Sequence, residues 1–338
     1  MWCMTLSFMH STKSYQGLFM FTHVKILFIL LLLVQSVLAQ DVISDSKILF
    51  INSYHKGYAW SDGIQRGVAA ILADEKSVLL KTIEMDTKHN SSVEFKLQAA
   101  LKVKQYIEEF KPDVVIAADD NASKYVVEPY YKDADLPFVF CGVNWDASVY
   151  GYPYSNTTGM VEVALIKQII RQLQTYAKGS KIGFIGGDVI STHKIPKYHK
   201  KLFNINYDKI YYVKTFEEWK EKYLQLQQEV DIIILESYAG LSDWQSEQVQ
   251  EFILKNTKIP TGSLLRFMAP LVAITIARSS EEQGYWSAQT ALKILAGVKP
   301  NEIPIVQNKE GKPIFNMKLI NKLGLRIPLS LLKMAERI

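Results

Sequence analysis

Cysteine is scarce in this sequence of 338 residues, which contains only Cys3 and Cys141. Because Cys3 lies in a segment that we expect to be removed, a disulfide within the mature chain is excluded. Cys141 lies in the apolar run FVFCGV, where we interpret it as a small buried residue. A catalytic thiol is the minor alternative, since no neighbour in the sequence would activate it.

The sequence also lacks an apolar run of about 20 residues, the length needed to span a bilayer. The run Ile26–Val34 is shorter, follows Lys25 and leads into the cleavage-type tripeptide Val37-Leu38-Ala39. This pattern predicts a signal peptide over residues 1–39, with a buried core helix as the alternative. Because residues 1–19 fit a signal peptide poorly, we hypothesise that translation starts at Met20. Gln40 would begin the mature chain, so no lipid-anchor cysteine follows the cut, and we expect a periplasmic protein.

Neither sign of charge predominates, with 39 basic and 34 acidic residues. This balance is too mild to imply a nucleic-acid partner or a membrane surface. The motifs GxSxG, GxxxxGK[ST] and HExxH are absent. His55, His89 and His193 lack partners at the spacing of a metal site, so neither a metal nor a cofactor is predicted. An enzyme is therefore not expected, and an exported enzyme remains the weakest of the function classes.

What the sequence does contain is an alternation of short apolar strands and amphipathic helices. Lys47–Ile51 is a predicted strand and Asp62–Lys76 a predicted helix, and the alternation continues to the strand Pro137–Cys141. It restarts after the turn-rich segment Gly151–Gly159, beginning with a helix over Val163–Tyr176. This order predicts an α/β fold of two lobes, each with a parallel sheet flanked by helices.

Polar residues follow most of the predicted strands. In an open parallel sheet, ligands bind beyond the carboxyl ends of the strands, so these residues are candidate ligand contacts. The candidates, with one nearby aromatic residue, are Asn52, Ser53, Tyr54, Trp60, Asp86, Asp119, Asn121, Asn144, Glu236 and Arg266. The set suits a small polar or zwitterionic molecule with an apolar part. Arg266 is assigned to a ligand carboxylate, with a surface or interlobe ion pair as its alternative role.

Several segments resemble the bacterial substrate-binding proteins of ABC transporters, of the uncharacterised or tryptophan-binding-protein-like type. They are KILFINSYHKGYAWSDGIQRGV, KPDVVIAADDNASKYVV, LPFVFCGVN, NTTGMVEV, GYWSAQTALKILAGVKPNEIPIV and FNMKLINKLGLRIPLSLL. The resemblance covers about residues 45–334, and the order and spacing of the segments carry it more than any single motif.

The resemblance implies a type I periplasmic-binding-protein fold, with two Rossmann-like lobes joined by three hinge crossings. We predict one lobe from residues 45–150 plus 270–302 and the other from 151–269 plus 303–338. The implied function is capture of a small organic ligand, such as an amino acid, by a monomer that delivers it to an ABC permease. The alternative is a sensory protein that presents its ligand to a membrane kinase or cyclase.

Overall fold

The structure is a computed structural model that describes residues 46–338. The predicted signal peptide and the Met20 start lie outside the described residues. Within the described part of the chain, no helix combines the length and the apolar character needed to cross a membrane.

The first lobe, called here the N-terminal lobe, is built on a parallel sheet of six strands in the order β11-β5-β4-β3-β1-β2. Its strands are β1 (Ser46–Asn52), β2 (Val78–Glu84), β3 (Val114–Ala118), β4 (Phe138–Asn144), β5 (Thr157–Glu162) and β11 (Val306–Gln307). Its helices are α1 (Ala59–Leu72), α2 (Val93–Phe110), α3 (Asp119–Ala122, extended by a π-helical stretch, Ser123–Val127, and a turn, Glu128–Tyr130) and α8 (Ser280–Leu295).

The central strand β1 shows why this sheet is buried on both faces. Leu49 and Ile51 pack into the apolar cluster on one face, whereas Ile48 and Phe50 pack into the cluster on the other. All four side chains are fully buried, as expected when alternate residues of a strand point to opposite faces and helices cover both.

The second lobe, called here the C-terminal lobe, has a sheet of seven strands in the order β13-β12-β10-β9-β8-β6-β7. Its strands are β6 (Ile182–Gly187), β7 (Lys209–Val213), β8 (Ile232–Leu235), β9 (Thr261–Ser263), β10 (Ile274–Arg278), β12 (Gly311–Phe315) and β13 (Glu336–Arg337). Its helices are α4 (Ile166–Gln174), α5 (Ile190–Phe203), α6 (Phe216–Glu229), α7 (Ser246–Asn256), α9 (Met317–Leu323) and α10 (Leu329–Met334). Only the β10–β12 pairing is antiparallel among the described strands of this sheet.

The chain passes between the two sheets three times, after β5, after β10 and after β11. The two-lobed α/β fold with three crossings is therefore confirmed. The sheets, however, divide the chain at residues other than the predicted boundaries. The turn-rich segment 151–159 leads into β5 of the first sheet, and β10 belongs to the second sheet although residues 270–302 were assigned to the first lobe. In the same way, β11 belongs to the first sheet, although residues from 303 onward were assigned to the second lobe.

Helices α1 and α8 come together at glycine. A Cβ atom on Gly284 would lie 2.0 Å from the carbonyl oxygen of Ile64, and one on Gly67 would lie 2.3 Å from that of Glu281. Real Cβ atoms do not approach backbone this closely, so the two helices can touch only because both positions lack a side chain. This contact attaches α8, which follows the second crossing, to the N-terminal lobe.

We predict that Gly284→Ala destabilises the protein by about 1–3 kcal/mol, because the added methyl group overpacks a contact between two backbones. The free energy of unfolding should be measured by urea denaturation. Gln289→Ala, at an exposed position of the same helix, is the control and should change stability by less than about 0.5 kcal/mol. Equal stability of Gly284→Ala and the parent would show that the helices can separate at no cost.

Candidate functional site

The carboxyl edge of the N-terminal sheet carries strained backbone. Asp86, Asp119 and Trp145 each lie within two residues of a strand end and have positive φ angles of 51°, 70° and 64°. Left-handed conformations are uncommon for residues other than glycine, and they concentrate at ligand and catalytic sites. Here they turn the chain sharply beyond β2, β3 and β4.

Asp119 is a buried carboxyl group at the end of β3. The indole N–H of Trp60 donates to its Oδ1 over 3.0 Å, whereas its Oδ2 is buried with no hydrogen-bond partner among the described residues. Burial, with nearby Glu162 and Asp120, raises the pKa of Asp119 well above its usual value. The group therefore has one oxygen for which the described part of the chain supplies no donor.

Asn52 and Ser53 are fully buried at the end of β1. Ser53 Oγ donates to the carbonyl of Ala118 over 2.5 Å and accepts from the amide of Ala122 over 2.8 Å. Through these two hydrogen bonds, Ser53 links the end of β1 to the start of α3. Asn52 Oδ1 accepts from the amide of Tyr54 over 2.8 Å, and its Nδ2 is buried without a partner in residues 46–338.

An ion pair joins two of the three crossings. Arg278 Nη1, at the end of β10, lies 2.6 Å from Glu162 Oε1, at the end of β5, and the Glu162 side chain is only 7% exposed. The guanidinium also lies over the ring of Trp60, 5.9 Å from its centroid. Burial raises the pKa of Glu162 to about 7, and Arg278 opposes that rise.

The third buried carboxyl group is that of Glu236, which directly follows β8 in the C-terminal lobe. Burial raises its pKa to about 7, while a hydrogen bond from the Ser237 backbone and the charge of Arg278 act in the opposite direction. Arg278 therefore lies within electrostatic reach of carboxyl groups from both lobes. We call Trp60, Asp119, Glu162, Glu236 and Arg278 the hinge cluster.

Aromatic rings flank the hinge cluster on the N-terminal lobe. The rings of Tyr54 and Tyr58 are perpendicular with centroids 5.0 Å apart, and Lys88 Nζ lies 4.6 Å and 5.0 Å from them. The charge of Lys88 also lowers the pKa of Asp119. This surface already holds one cation against aromatic faces.

The two predicted asparagine contacts lie beside this site. Asn121 Nδ2 donates to Thr87 Oγ1 over 2.8 Å. Asn144 is exposed and donates to Asp120 through its backbone amide over 3.2 Å and through Nδ2 over 2.6 Å. Both side chains are already engaged by neighbouring loops, which orients these loops at the edge of the sheet.

Arg266 forms an ion pair with a residue outside the predicted set. Its Nη2 is 2.6 Å from Glu336 Oε2 of the same lobe, and both side chains are about half exposed. This is the surface ion pair that the sequence left open as the alternative role. The arginine that the structure places among the candidate residues is Arg278.

A further grouping differs from the expectation of no metal site. His55, Asp86 and His89 each offer a ligand atom, and these atoms lie within 4.8 Å of one another. Sequence spacing did not reveal the group because β1 and β2 are neighbouring parallel strands, and their carboxyl ends bring distant residues together.

The two lobes also meet through Trp145 and α5. The indole stacks on the ring of Tyr198 with centroids 5.1 Å apart, and Lys201 Nζ lies 3.1 Å from Asp146 Oδ2. The imidazole of His199 lies 5.8 Å from the indole centroid, and burial lowers the pKa of this histidine to about 4. A neutral histidine therefore forms part of the interlobe contact at physiological pH.

Sequence reasoning missed Glu162, Arg278 and Gln283. The first two end strands that the sequence patterns did not reveal, so the rule of polar residues after strands was never applied to them. Gln283, in the first turn of α8, accepts from the amide of Gly142 over 2.9 Å, and its Nε2 is buried without a partner among the residues described. No pattern in the sequence indicates that role.

Comparison with known proteins agrees with this geometry. Residues 263–338 match the model of a family described as ABC transporter substrate binding protein. No curated protein matches the sequence significantly. The resemblance to ABC-transporter substrate-binding proteins is thus confirmed, and the match begins at β9 and runs to the last residue.

Solved structures share the fold. A substrate-binding protein with adhesive properties from Clostridium difficile, in its ligand-free open form, superposes with a TM-score of 0.67 at 15% identity, covering 87% of this chain and 99% of that one. A periplasmic ribose ABC transporter protein from Conexibacter woesei gives 0.52 at 12% identity, and a conserved domain protein from Vibrio cholerae gives 0.51 at 16%. Each of these two comparisons also covers 87% of this chain and 99% of the other. The type I periplasmic-binding-protein fold is therefore shown.

The raised pKa of Glu236 predicts a pH-dependent stability. A carboxyl group whose pKa rises from 4.5 to about 7 on folding favours the folded state below pH 4.5 and loses that contribution as pH rises through 7. Glu236→Gln has no ionisable group at this position and does not lose stability in this way. Between pH 4.5 and 8, its free energy of unfolding should therefore rise relative to that of the parent by up to about 3 kcal/mol.

Urea denaturation at both pH values, without ligand, measures this gain. Glu247→Gln, at an exposed position in the first turn of α7, is the control and should change stability by less than about 0.5 kcal/mol. A constant difference between Glu236→Gln and the parent at the two pH values would contradict the raised pKa.

Proposed function

We propose that this chain is an exported solute-binding protein that captures a small organic molecule carrying an amine, an amino acid or a similar compound, and delivers it to an ABC permease. One observation carries the proposal. Three strand ends bring buried carboxyl groups to the junction of the lobes: Glu162 pairs with Arg278, Glu236 lies within reach of the charge of Arg278, and Asp119 accepts a hydrogen bond from Trp60, whose ring lies under the same guanidinium.

The charge balance of the hinge cluster favours a ligand with a positive group. A buried carboxylate is costly unless it is paired and hydrogen-bonded. Arg278 forms its ion pair with Glu162, and the second oxygen of Asp119 has no donor in the described part of the chain. A ligand ammonium group would supply hydrogen-bond donors and a charge of the sign that these carboxyl groups attract.

The neighbouring aromatic rings suit the rest of such a ligand. Tyr54, Tyr58 and Trp60 provide apolar area together with ring faces that attract cations. Arg278 uses Nη1 for Glu162, and a guanidinium has further N–H groups that could donate to a ligand carboxylate. The arrangement thus fits a zwitterion with an apolar side chain better than a sugar or a dianion.

Capture would proceed by closure of the lobes. Asp119 belongs to the N-terminal lobe and Glu236 to the C-terminal lobe, so a ligand that contacts both makes more interactions in the closed form. Such a ligand shifts the population toward closure by its differential affinity for the two forms. The sensory alternative shares this binding step, and the match to a transporter-protein family over residues 263–338 favours delivery to a permease.

A thermal-shift screen tests the ligand class. The purified protein, unfolded and refolded to remove carried-over ligand, is heated with amino acids, amines, nucleobases, sugars and organic acids. A ligand at about 100 times its Kd should add about 2.7 kcal/mol to the stability of the folded state. We expect saturable stabilisation by amine-bearing compounds without turnover. Stabilisation by sugars or dianions alone, or consumption of the compound, would contradict the proposal.

Substitution of Asp119 tests the site itself. Asp119→Asn keeps the shape and tolerates the positive φ, but removes the carboxyl group that would ionise against a ligand ammonium group, so affinity for the ligand found in the screen should fall about 30-fold or more. Calorimetric titration measures the loss. Asp74→Asn, at an exposed position, and Arg266→Ala are the controls and should bind as the parent does. Unchanged affinity in Asp119→Asn would place the ligand elsewhere.

A further inference from the structure

We propose that His55, Asp86 and His89 form a binding site for a divalent transition-metal ion of the Zn²⁺ class, at the carboxyl edge of the N-terminal sheet. One ligand atom from each residue lies within 4.8 Å of the others, and this is the only such group of three among residues 46–338. The two imidazole rings are stacked with centroids 3.8 Å apart.

Backbone hydrogen bonds join the two loops that carry this site. His55 follows β1, while Asp86 and His89 follow the adjacent strand β2. The amide of Asp86 donates to the carbonyl of Tyr54 over 2.8 Å, and the amide of Thr87 donates to that of Ser53 over 3.1 Å. The residues that carry the three ligands are thus joined before any ion binds.

The hydrogen bonds of His55 leave a nitrogen free for an ion. His55 Nδ1 lies 2.9 Å from the carbonyl oxygen of Lys56, which can only accept, so Nδ1 carries the proton. In the neutral ring, Nε2 then has a lone pair that can bind an ion. A backbone carbonyl that orients the other ring nitrogen is the usual outer partner of a metal-bound histidine.

Asp86 and His89 form the other half of the site. His89 Nδ1 lies 2.7 Å from Asp86 Oδ1, and Asn90 Nδ2 donates to Asp86 Oδ2 over 3.1 Å. The carboxylate is therefore oriented from both sides. A metal ion would take the place of the proton that His89 and Asp86 share, and that proton would pass to solvent.

The donor set indicates the class of ion. Two imidazoles and one carboxylate suit Zn²⁺, Ni²⁺ or Cu²⁺, whereas Mg²⁺ and Ca²⁺ prefer oxygen ligands. Three protein ligands leave a coordination position open. The ring of Tyr58 lies 5.9 Å from that of His55, so the proposed site is next to the aromatic pair Tyr54 and Tyr58. The neighbouring cation, Lys88, is directed instead at the rings of Tyr54 and Tyr58.

The C-terminal lobe supplies an internal control. His193 Nε2 lies 2.6 Å from Asp188 Oδ1, which repeats the histidine–aspartate pair of the proposed site. Within the described residues, no third metal-ligating side chain joins that pair. The second histidine therefore distinguishes the proposed site from an ordinary surface ion pair.

Calorimetric titration of the EDTA-treated and dialysed protein with ZnCl₂ and, separately, MgCl₂ tests the proposal. We expect one Zn²⁺ per chain at this site and no binding of Mg²⁺. His55→Ala, His89→Ala and Asp86→Asn should each weaken Zn²⁺ binding at least about tenfold, whereas His193→Ala should bind as the parent does.

Melting temperatures in EDTA establish that the variants are folded, and His55→Gln and His89→Gln replace any alanine variant that melts lower than the parent. The proposal is overturned if the parent binds no Zn²⁺, if affinity is unchanged without His55 or His89, or if His193→Ala loses as much affinity as they do.

Discussion

The ion pair between Glu162 and Arg278 holds the junction of the two lobes together. Each residue ends a strand, one in each sheet, at a point where the chain crosses between lobes. The buried Glu162 carboxyl group is tolerated because the partly exposed guanidinium of Arg278 offsets its desolvation. Around this pair the fold gathers Asp119 from one lobe and Glu236 from the other, so the candidate ligand contacts lie where the two sheets are attached to each other.

Backbone strain lies at the carboxyl edge of the N-terminal sheet, next to this junction. A parallel sheet sends every strand toward one edge, and the chain must then turn back along a helix. At Asp119 and Trp145 it does so through left-handed backbone, which ordinary side chains adopt at a cost. Asp119 is thereby buried beneath Trp60, and Trp145 is thereby placed against α5 of the other lobe. Strain on the N-terminal side therefore positions both a candidate ligand contact and an interlobe contact.

Much of this architecture could be predicted from the sequence. Patterns such as the strand Lys47–Ile51 and the helix Asp62–Lys76 are clear enough to indicate α/β order, and the carboxyl-edge rule then selected Asn52, Asp119 and Glu236 as candidates. The rule failed where a strand went unrecognised. Turn formers before Thr157 concealed β5, and with it Glu162; an unbroken small-apolar patch concealed β10, and with it Arg278. Helix α5 was missed because Pro196 and several polar residues interrupt its periodicity. Which charged side chains pair with each other, as Arg266 does with Glu336, depends on distances in the folded chain that no sequence periodicity encodes.

The three crossings also govern the order in which this molecule can be completed. The N-terminal lobe takes its first five strands from the beginning of the described chain, yet it also needs α8 and β11, which follow almost the whole of the other lobe. The glycine contact that seats α8 on α1 joins residues more than two hundred positions apart. The face of the first sheet that α1 and α8 share is therefore only partly covered until residues beyond 280 are in place, and the N-terminal lobe cannot be completed before most of the C-terminal lobe is present.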